Sequence, residues 1–265
     1  MPRGDERLAW AEAKLKQCRR ISLRYFGRRL RIERKADRSP VTIADRTVEE
    51  FLRRELARAF PNDAIVGEEF GGSTAVGDSY WTIDPIDGTR PFSRGLPSWG
   101  TLLARIERGR PVMGASDFPA IETFIGSARG AAAYERTRTR RALLKRARAV
   151  PLDEAVIFHG GSAWWLPTRY GPGFTRVVSR CYLERAYGDC YAYLWLFRGC
   201  ADAMLDYGVK VWDIAPFAAI ADATGHASTD CAGRSCFTGP ESIVAHPRLV
   251  GEIAKLLRPG ARSHA

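Results

Sequence analysis

The chain has 265 residues, enough for one large α/β unit or two packed lobes with substantial cores. An apolar share of 45% and a charged share of 27% exclude general disorder, and stretches such as 215–221 are far too short to span a bilayer. A formal charge of +11 favours anionic partners through long-range attraction without saying which anion.

The first residues lead into a charged amphipathic pattern and lack the apolar core of a signal peptide, so a cytoplasmic protein is expected. Leu8, Leu15, Cys18, Ile21 and Tyr25 recur at helical spacing, with Gly27 as a stop. A second helix is predicted over 45–60, with Val48, Leu52 and Leu56 on one side, ended by Pro61-Asn62-Asp63. Residues 64–66 read as a short strand entering Gly67-Glu68-Glu69. Short apolar runs follow at 80–83, 101–106, 112–116, 123–126 and 131–134. The turn Glu107-Arg108-Gly109-Arg110 makes this a mostly antiparallel sheet.

A run at 136–148 carries seven basic residues and no acidic ones. It contains no aromatic residue to stack on bases, so a solvated face is the better reading and nucleic acid is not an expected partner. Beyond it, strands (155–158, 203–207, 242–245) alternate with helices (190–198, 214–224, 247–257), which suggests an α/β lobe. The expected division is 1–140, an α+β lobe with most of the chemistry, and 141–265, an α/β lobe that completes it. Six cysteines form no Cys-x-x-Cys pair, and the four histidines complete no zinc pattern, so reduced, buried thiols are expected.

The chemistry concentrates at Asp84-Pro85-Ile86-Asp87-Gly88-Thr89. A strand end with two carboxylates three residues apart can aim hard oxygen ligands at one point, as magnesium prefers. The N–H groups of the following Gly88-Thr89 can receive a phosphate. A turn with a capping aspartate is the plainer reading, and the second aspartate weakens it. Asp45 and Asp213 each open a helix, where capping is the competing role. Glu68 alone, in a glycine-rich loop, is uninformative.

Taken together, these segments resemble the inositol monophosphatase superfamily of metal-dependent, lithium-sensitive phosphatases. The matching residues are Lys35, Asp37, Ser39-Pro40-Val41-Thr42, Ala44-Asp45, Gly67-Glu68-Glu69, Trp81, Ile83 to Thr89, and Trp212-Asp213-Ile214-Ala215. The resemblance implies a layered αβαβα sandwich, a homodimer and two or three Mg2+ ions per site. It implies that Glu68, Asp84 and the Ile86 carbonyl hold one ion, and that Asp84, Asp87 and Asp213 hold another. Asp45 and Thr89, with Glu68 through a further ion, would prepare the attacking water, and Gly88 and Thr89 would hold the phosphate.

The segment Arg185-Ala186-Tyr187-Gly188-Asp189-Cys190-Tyr191 resembles the bacterial histidinol-phosphate phosphatase branch. It implies that Arg185, Asp189 and Asp206 contact the substrate. A carboxylate suits the amine and imidazole of such a substrate; a helix cap competes for Asp189, and a solvent-facing strand end for Asp206. Arg90-Pro91 departs from the small or polar pair usual in the superfamily. An inositol, nucleotide or sugar phosphate is the alternative substrate, and a catalytically silent basic scaffold the alternative outside enzymes.

Overall fold

The computed structural model describes residues 4–28, 32–34, 40–73 and 79–258. Lys35, Asp37 and Ser39 of the resemblance lie outside the described residues. The chain opens with α1 (Gly4–Ser22), a two-stranded ribbon of β1 (Glu33–Arg34) and β2 (Pro40–Val41), and α2 (Ile43–Ala59). Then come β3 (Ala64–Gly67), β4 (Ser79–Asp87), the short helix α3 (Thr89–Ser93), β5 (Gly100–Glu107), β6 (Arg110–Phe118), β7 (Thr123–Ala128), β8 (Tyr134–Arg136) and β9 (Arg141–Leu143). Strands β3 to β9 form one seven-stranded sheet in chain order. Only β3 and β4 pair in parallel; every other neighbour is antiparallel. The β5–β6 hairpin turns on Arg108 and Gly109, both at positive φ, as a tight two-residue connection requires.

The second half contributes β10 (Val156–His159), α4 (Ser162–Trp165), α5 (Gly171–Val178), β11 (Leu183–Arg185), α6 (Asp189–Phe197) and β12 (Ala203–Tyr207). It ends with α7 (Val211–Thr224), β13 (Ala227–Thr229), β14 (Glu241–Ala245) and α8 (Pro247–Leu257). The second sheet has the order β11-β10-β12-β14-β13 and is mixed: β11, β10 and β12 run parallel, while β14 is antiparallel to both its neighbours.

The layers follow from the side-chain periods. In α2, Val48, Leu52 and Leu56 recur every four residues and are fully buried with α1 against Trp81 and Ile83 of the first sheet. Each such side chain contributes roughly 1.5–3 kcal/mol of burial. Helix α7 packs on the other face of that sheet and also meets β13 and β14. In β12, Met204 points to this middle layer, whereas Ala203 and Leu205 point outward to the core under α5 and α8. The order is therefore α1/α2, sheet, α6/α7, sheet, α5/α8, the expected αβαβα sandwich. No helix among the described residues is long and apolar enough to cross a membrane.

Several expectations shift. The seven-stranded sheet runs three residues past position 140, because β9 pairs with β8. The basic run is a strand edge and an extended connection. Its arginines have local partners: Arg136 bonds Glu12, Arg148 reaches Asp202 at 2.8 Å, and Arg141 lies over the Tyr134 ring. All six cysteines are free, but Cys200 is exposed rather than buried. Helix α7 starts three residues earlier than expected, so Pro216 sits inside the helix and offers no N–H to the carbonyl of Trp212.

The contact between α7 and the first sheet is close because Gly114 of β6 has no side chain. A Cβ there would stand 1.9 Å from the Pro216 carbonyl oxygen. Gly114→Ala is expected to cost ~1–3 kcal/mol through overpacking, measured as a lower thermal midpoint. It should also lower kcat, because Asp213 lies three residues upstream on the same helix. Gly251→Ala, in α8 with open space around it, should instead stabilise by ~0.5–1 kcal/mol.

Candidate active site

Asp84 and Asp87 lie toward the end of β4, which neighbours the edge strand β3. In a regular strand, residues three apart point to opposite faces. Here Asp84 pairs with Leu102 and Asp87 with Gly100, three steps on one strand against two on the other. That bulge turns Asp87 to the side where Asp84 already points. Thr101 pins the corner by donating its hydroxyl to the Pro85 carbonyl at 2.8 Å. Asp213 comes from the first turn of α7. One carboxylate oxygen each from Asp84, Asp87 and Asp213 lie within 4.8 Å of one another.

Asp87 and Asp213 are each held by a backbone N–H. The Cys190 N–H at the start of α6 donates to Asp87 at 2.6 Å. The Lys210 N–H donates to Asp213 at 2.7 Å, so Asp213, the third helical residue rather than the cap, closes the first turn of α7 from within the site. Asp84 is buried, and its Oδ1 has no hydrogen-bond partner. A buried carboxylate oxygen left bare is costly unless a cation completes it. Three hard oxygen donors and no soft one suit a divalent cation of the magnesium or manganese type. Burial pushes the nearby Cys190 thiol well up, so it stays protonated beside them.

Asp45 is the third helical residue of α2 rather than its cap. Thr42 is the cap, and its N–H and hydroxyl donate to Asp45 Oδ2 at 2.7 and 2.6 Å. Asp45 Oδ1 is left to face the Thr89 hydroxyl at 3.2 Å, and that hydroxyl also lies 3.0 Å from the Ile86 carbonyl. Gly88 caps the short helix α3 at φ +88, and a Cβ there would meet the Ser98 carbonyl at 2.9 Å.

Beside Asp87 and Asp213 a cavity of about 140 Å³ opens, lined also by Asp189, Asp206, Arg90 and Trp164. Asp206 follows Met204 by two in β12 and so points to the same middle layer. Asp189 does not cap α6: Gly188 occupies that position, and Asp189 takes a left-handed φ of +59. A larger cleft of about 1390 Å³ lies elsewhere, lined by Arg108, Arg110 and Arg129, but holds none of this acidic cluster. Arg185 is exposed and lies outside the 140 Å³ cavity; its guanidinium donates to the Glu184 carbonyl at 2.6 Å.

The family model for the inositol monophosphatase family matches residues 5–261. The chain belongs to this family. A histidinol-phosphatase of Mycobacterium tuberculosis is 33% identical over 241 residues, covering 90% of this chain and 92% of that one. An inositol-1-monophosphatase of Mycobacterium bovis is 30% identical over 226 residues, covering 83% and 78%. Among solved structures, an inositol monophosphatase from Zymomonas mobilis superposes with a TM-score of 0.85 at 28% identity, covering 97% of this chain and 99% of that one. The protein is therefore a phosphoric monoester hydrolase of this family.

Several functional positions carry no obvious signal in the sequence. Glu49, fully buried on α2, accepts the N–H groups of Glu69 (2.7 Å) and Phe70 (3.2 Å) and pairs with Arg53. It thereby sets the loop that presents Glu68, whose carboxylate charge raises the pKa of Asp84. Its only sequence signal is the i,i+4 spacing to Arg53. Gly160 and Trp164 come from a stretch without periodicity. A Cβ on Gly160 would stand 2.1 Å from Asp206 Oδ1.

Burial, then mutual repulsion, raises the acids. Asp84 and Asp87 lie well above the usual carboxylate range, and Asp213 is pushed up to about 7 by burial and then by Glu68. A group whose folded pKa exceeds its unfolded value contributes stability at low pH that is lost as pH rises through the folded value. Protein stripped of divalent cations should therefore lose several degrees of thermal midpoint between pH 5 and pH 8, and magnesium at pH 8 should restore them. Asp213→Asn should raise the midpoint of the stripped protein and blunt the response to magnesium. A flat profile in calorimetry would show that the carboxylates do not crowd as described.

Proposed function

We propose that the protein is a magnesium-dependent phosphatase whose preferred substrate is histidinol phosphate. The observation that carries the substrate is the pair Asp189 and Asp206, both lining the cavity that adjoins Asp87 and Asp213. Two carboxylates at the leaving-group end suit an amine and an imidazolium through charge-assisted hydrogen bonds. The histidinol-phosphatase relative supports the same reading. Inositol phosphate is the second reading, supported by the relative of that activity and by the fact that carboxylates also accept hydroxyl protons.

In this reading Glu68, Asp84, the Ile86 carbonyl, Asp87 and Asp213 hold two or three magnesium ions. Bound there, magnesium supplies charge neutralisation of the phosphate and a lowered pKa for the attacking water. The N–H groups of Gly88 and Thr89, which no helical carbonyl satisfies, are placed to hold phosphate oxygens. Thr89 and Asp45 handle the proton. Thr42 saturates Asp45 Oδ2, so only Oδ1 is left to take a proton from the Thr89 hydroxyl, which in turn takes one from water. Burial lifts the Asp45 carboxyl to about 6, near the neutral range in which a general base works best. The water oxygen bonds to phosphorus and the ester P–O bond breaks; the departing oxygen takes a proton from solvent water to leave as the alcohol, and Asp45 returns its proton to solvent.

With magnesium, kcat/KM for histidinol phosphate is expected to exceed that for inositol 1-phosphate by at least about tenfold, a transition-state difference of ~1.4 kcal/mol. Comparable values would remove the substrate assignment and leave the phosphatase. Asp45→Asn should lower kcat by ~10²–10⁴ with a smaller change in KM, as loss of a positioned base does.

A further inference from the structure

Arg90 and Trp164 meet at the solvent-facing rim of the 140 Å³ cavity, the guanidinium carbon 5.3 Å from the indole centre. Trp164 lines the cavity and is 48% exposed, so a bound molecule can reach its ring. Its seat is built from residues without side chains. Cβ atoms at Gly161 and Gly208 would both stand 3.7 Å from the indole, and both glycines have positive φ, where a side chain is strained. Among the described residues Arg90 makes no ion pair at contact distance, yet its charge reaches Asp189. The rim thus holds an aromatic face, a planar cation on it and a carboxylate beside both.

We propose that Arg90 is an internal stand-in for the substrate's cationic ring, and that Trp164 is the face on which that ring stacks. A guanidinium and an imidazolium are both planar, delocalised cations that bind an aromatic face and a carboxylate. A substrate bearing such a ring replaces Arg90 on Trp164 and beside Asp189, exchanging like for like. A neutral polyol has no charge to offer, so Arg90 stays and the cavity remains narrow. Trp164 is then specificity-determining through contact, and Arg90 through competition. The inference rests on the cationic-substrate reading.

The variants Trp164→Leu, Trp164→Phe and Arg90→Met separate this from a phosphate role for Arg90. Trp164→Leu should raise KM for histidinol phosphate about tenfold with a much smaller change in kcat, and Trp164→Phe should recover most of it. Arg90→Met should have the opposite sign, lowering that KM by about threefold or more as the competitor is removed. If Arg90→Met instead raised KM for histidinol phosphate and inositol 1-phosphate alike, Arg90 would be a phosphate ligand and the proposal would fail. Calorimetric titration with histidinol, which lacks the phosphate, reads the same contact without turnover, and unchanged thermal midpoints show that the variants fold. A wild type that turns over both substrates equally, while its histidinol binding still depends on Trp164, would sink the substrate assignment and keep the clamp. A preference for histidinol phosphate that survives Trp164→Leu would do the reverse.

Discussion

The structure depends on holding Asp84, Asp87 and Asp213 together at the joint between two sheets, where burial and mutual repulsion both oppose it. Like charges a few ångströms apart in a protected site strongly disfavour joint ionisation. Backbone and hydroxyl donors offset part of that cost: Cys190 N–H for Asp87 and Lys210 N–H for Asp213, with Thr101 bracing the corner through Pro85. Asp84 receives no such donor at Oδ1. The arrangement is thus complete only toward a cation, and the fold carries an electrostatic cost in exchange for affinity.

Helix α7 makes this possible. It touches both sheets, and its approach to the first is set by Gly114 under the Pro216 carbonyl and by Ser127, which donates to the Ala219 carbonyl at 3.0 Å. The result divides labour between the halves of the chain. Asp45, Asp84, Asp87 and Thr89, the groups nearest the reacting phosphate in the proposed reading, come with α2, β4 and α3. Gly160, Trp164, Asp189 and Asp206, which line the adjoining cavity, come with the second sheet and its connections. Reaction type and substrate choice can therefore change separately, which fits relatives of both activities at similar identity to this chain.

The sequence makes the first of these halves far more legible than the second. Asp84 to Thr89 is a contiguous segment whose residue types already specify hard ligands and a phosphate turn. The apolar periods of α2, β5, β6, β12 and α8 lie within a few residues of their observed limits. What the sequence conceals is whatever depends on register or on distant contact. The bulge that rotates Asp87 has no local signature, since Pro85 is compatible with several turns. The start of α7 escapes apolar periodicity because Val211 and Trp212 are only partly buried and the first turn is closed by capping at Lys210. Helices α4 and α5 and strand β11 are too short for periodicity to register, so Trp164 and Gly160 sit in what reads as loop. Arg185 shows the converse: it belongs to a matching segment, but its strand ends with the side chain exposed.

Charge also acts at two ranges. At long range the chain is positive, +11 overall, with Arg138, Arg140 and Arg141 among its exposed cations; such a field draws in a phosphorylated molecule and weakens with salt. At short range the cavity is negative, with Asp87, Asp189, Asp206 and Asp213 against the single guanidinium of Arg90. In the proposed reading a divalent cation cancels the acids nearest the phosphate and leaves Asp189 and Asp206 for the rest of the substrate. Burial pushes Asp189 up to about 6 even with Arg90 drawing the other way, so a cation beside that carboxylate favours its ionised form. A substrate with a phosphate at one end and a positive group at the other meets both fields with the right sign. A neutral polyol phosphate meets the second field only through hydroxyl hydrogen bonds, so in the proposed reading the difference between the two resides in Asp189, Asp206 and the groups that touch them.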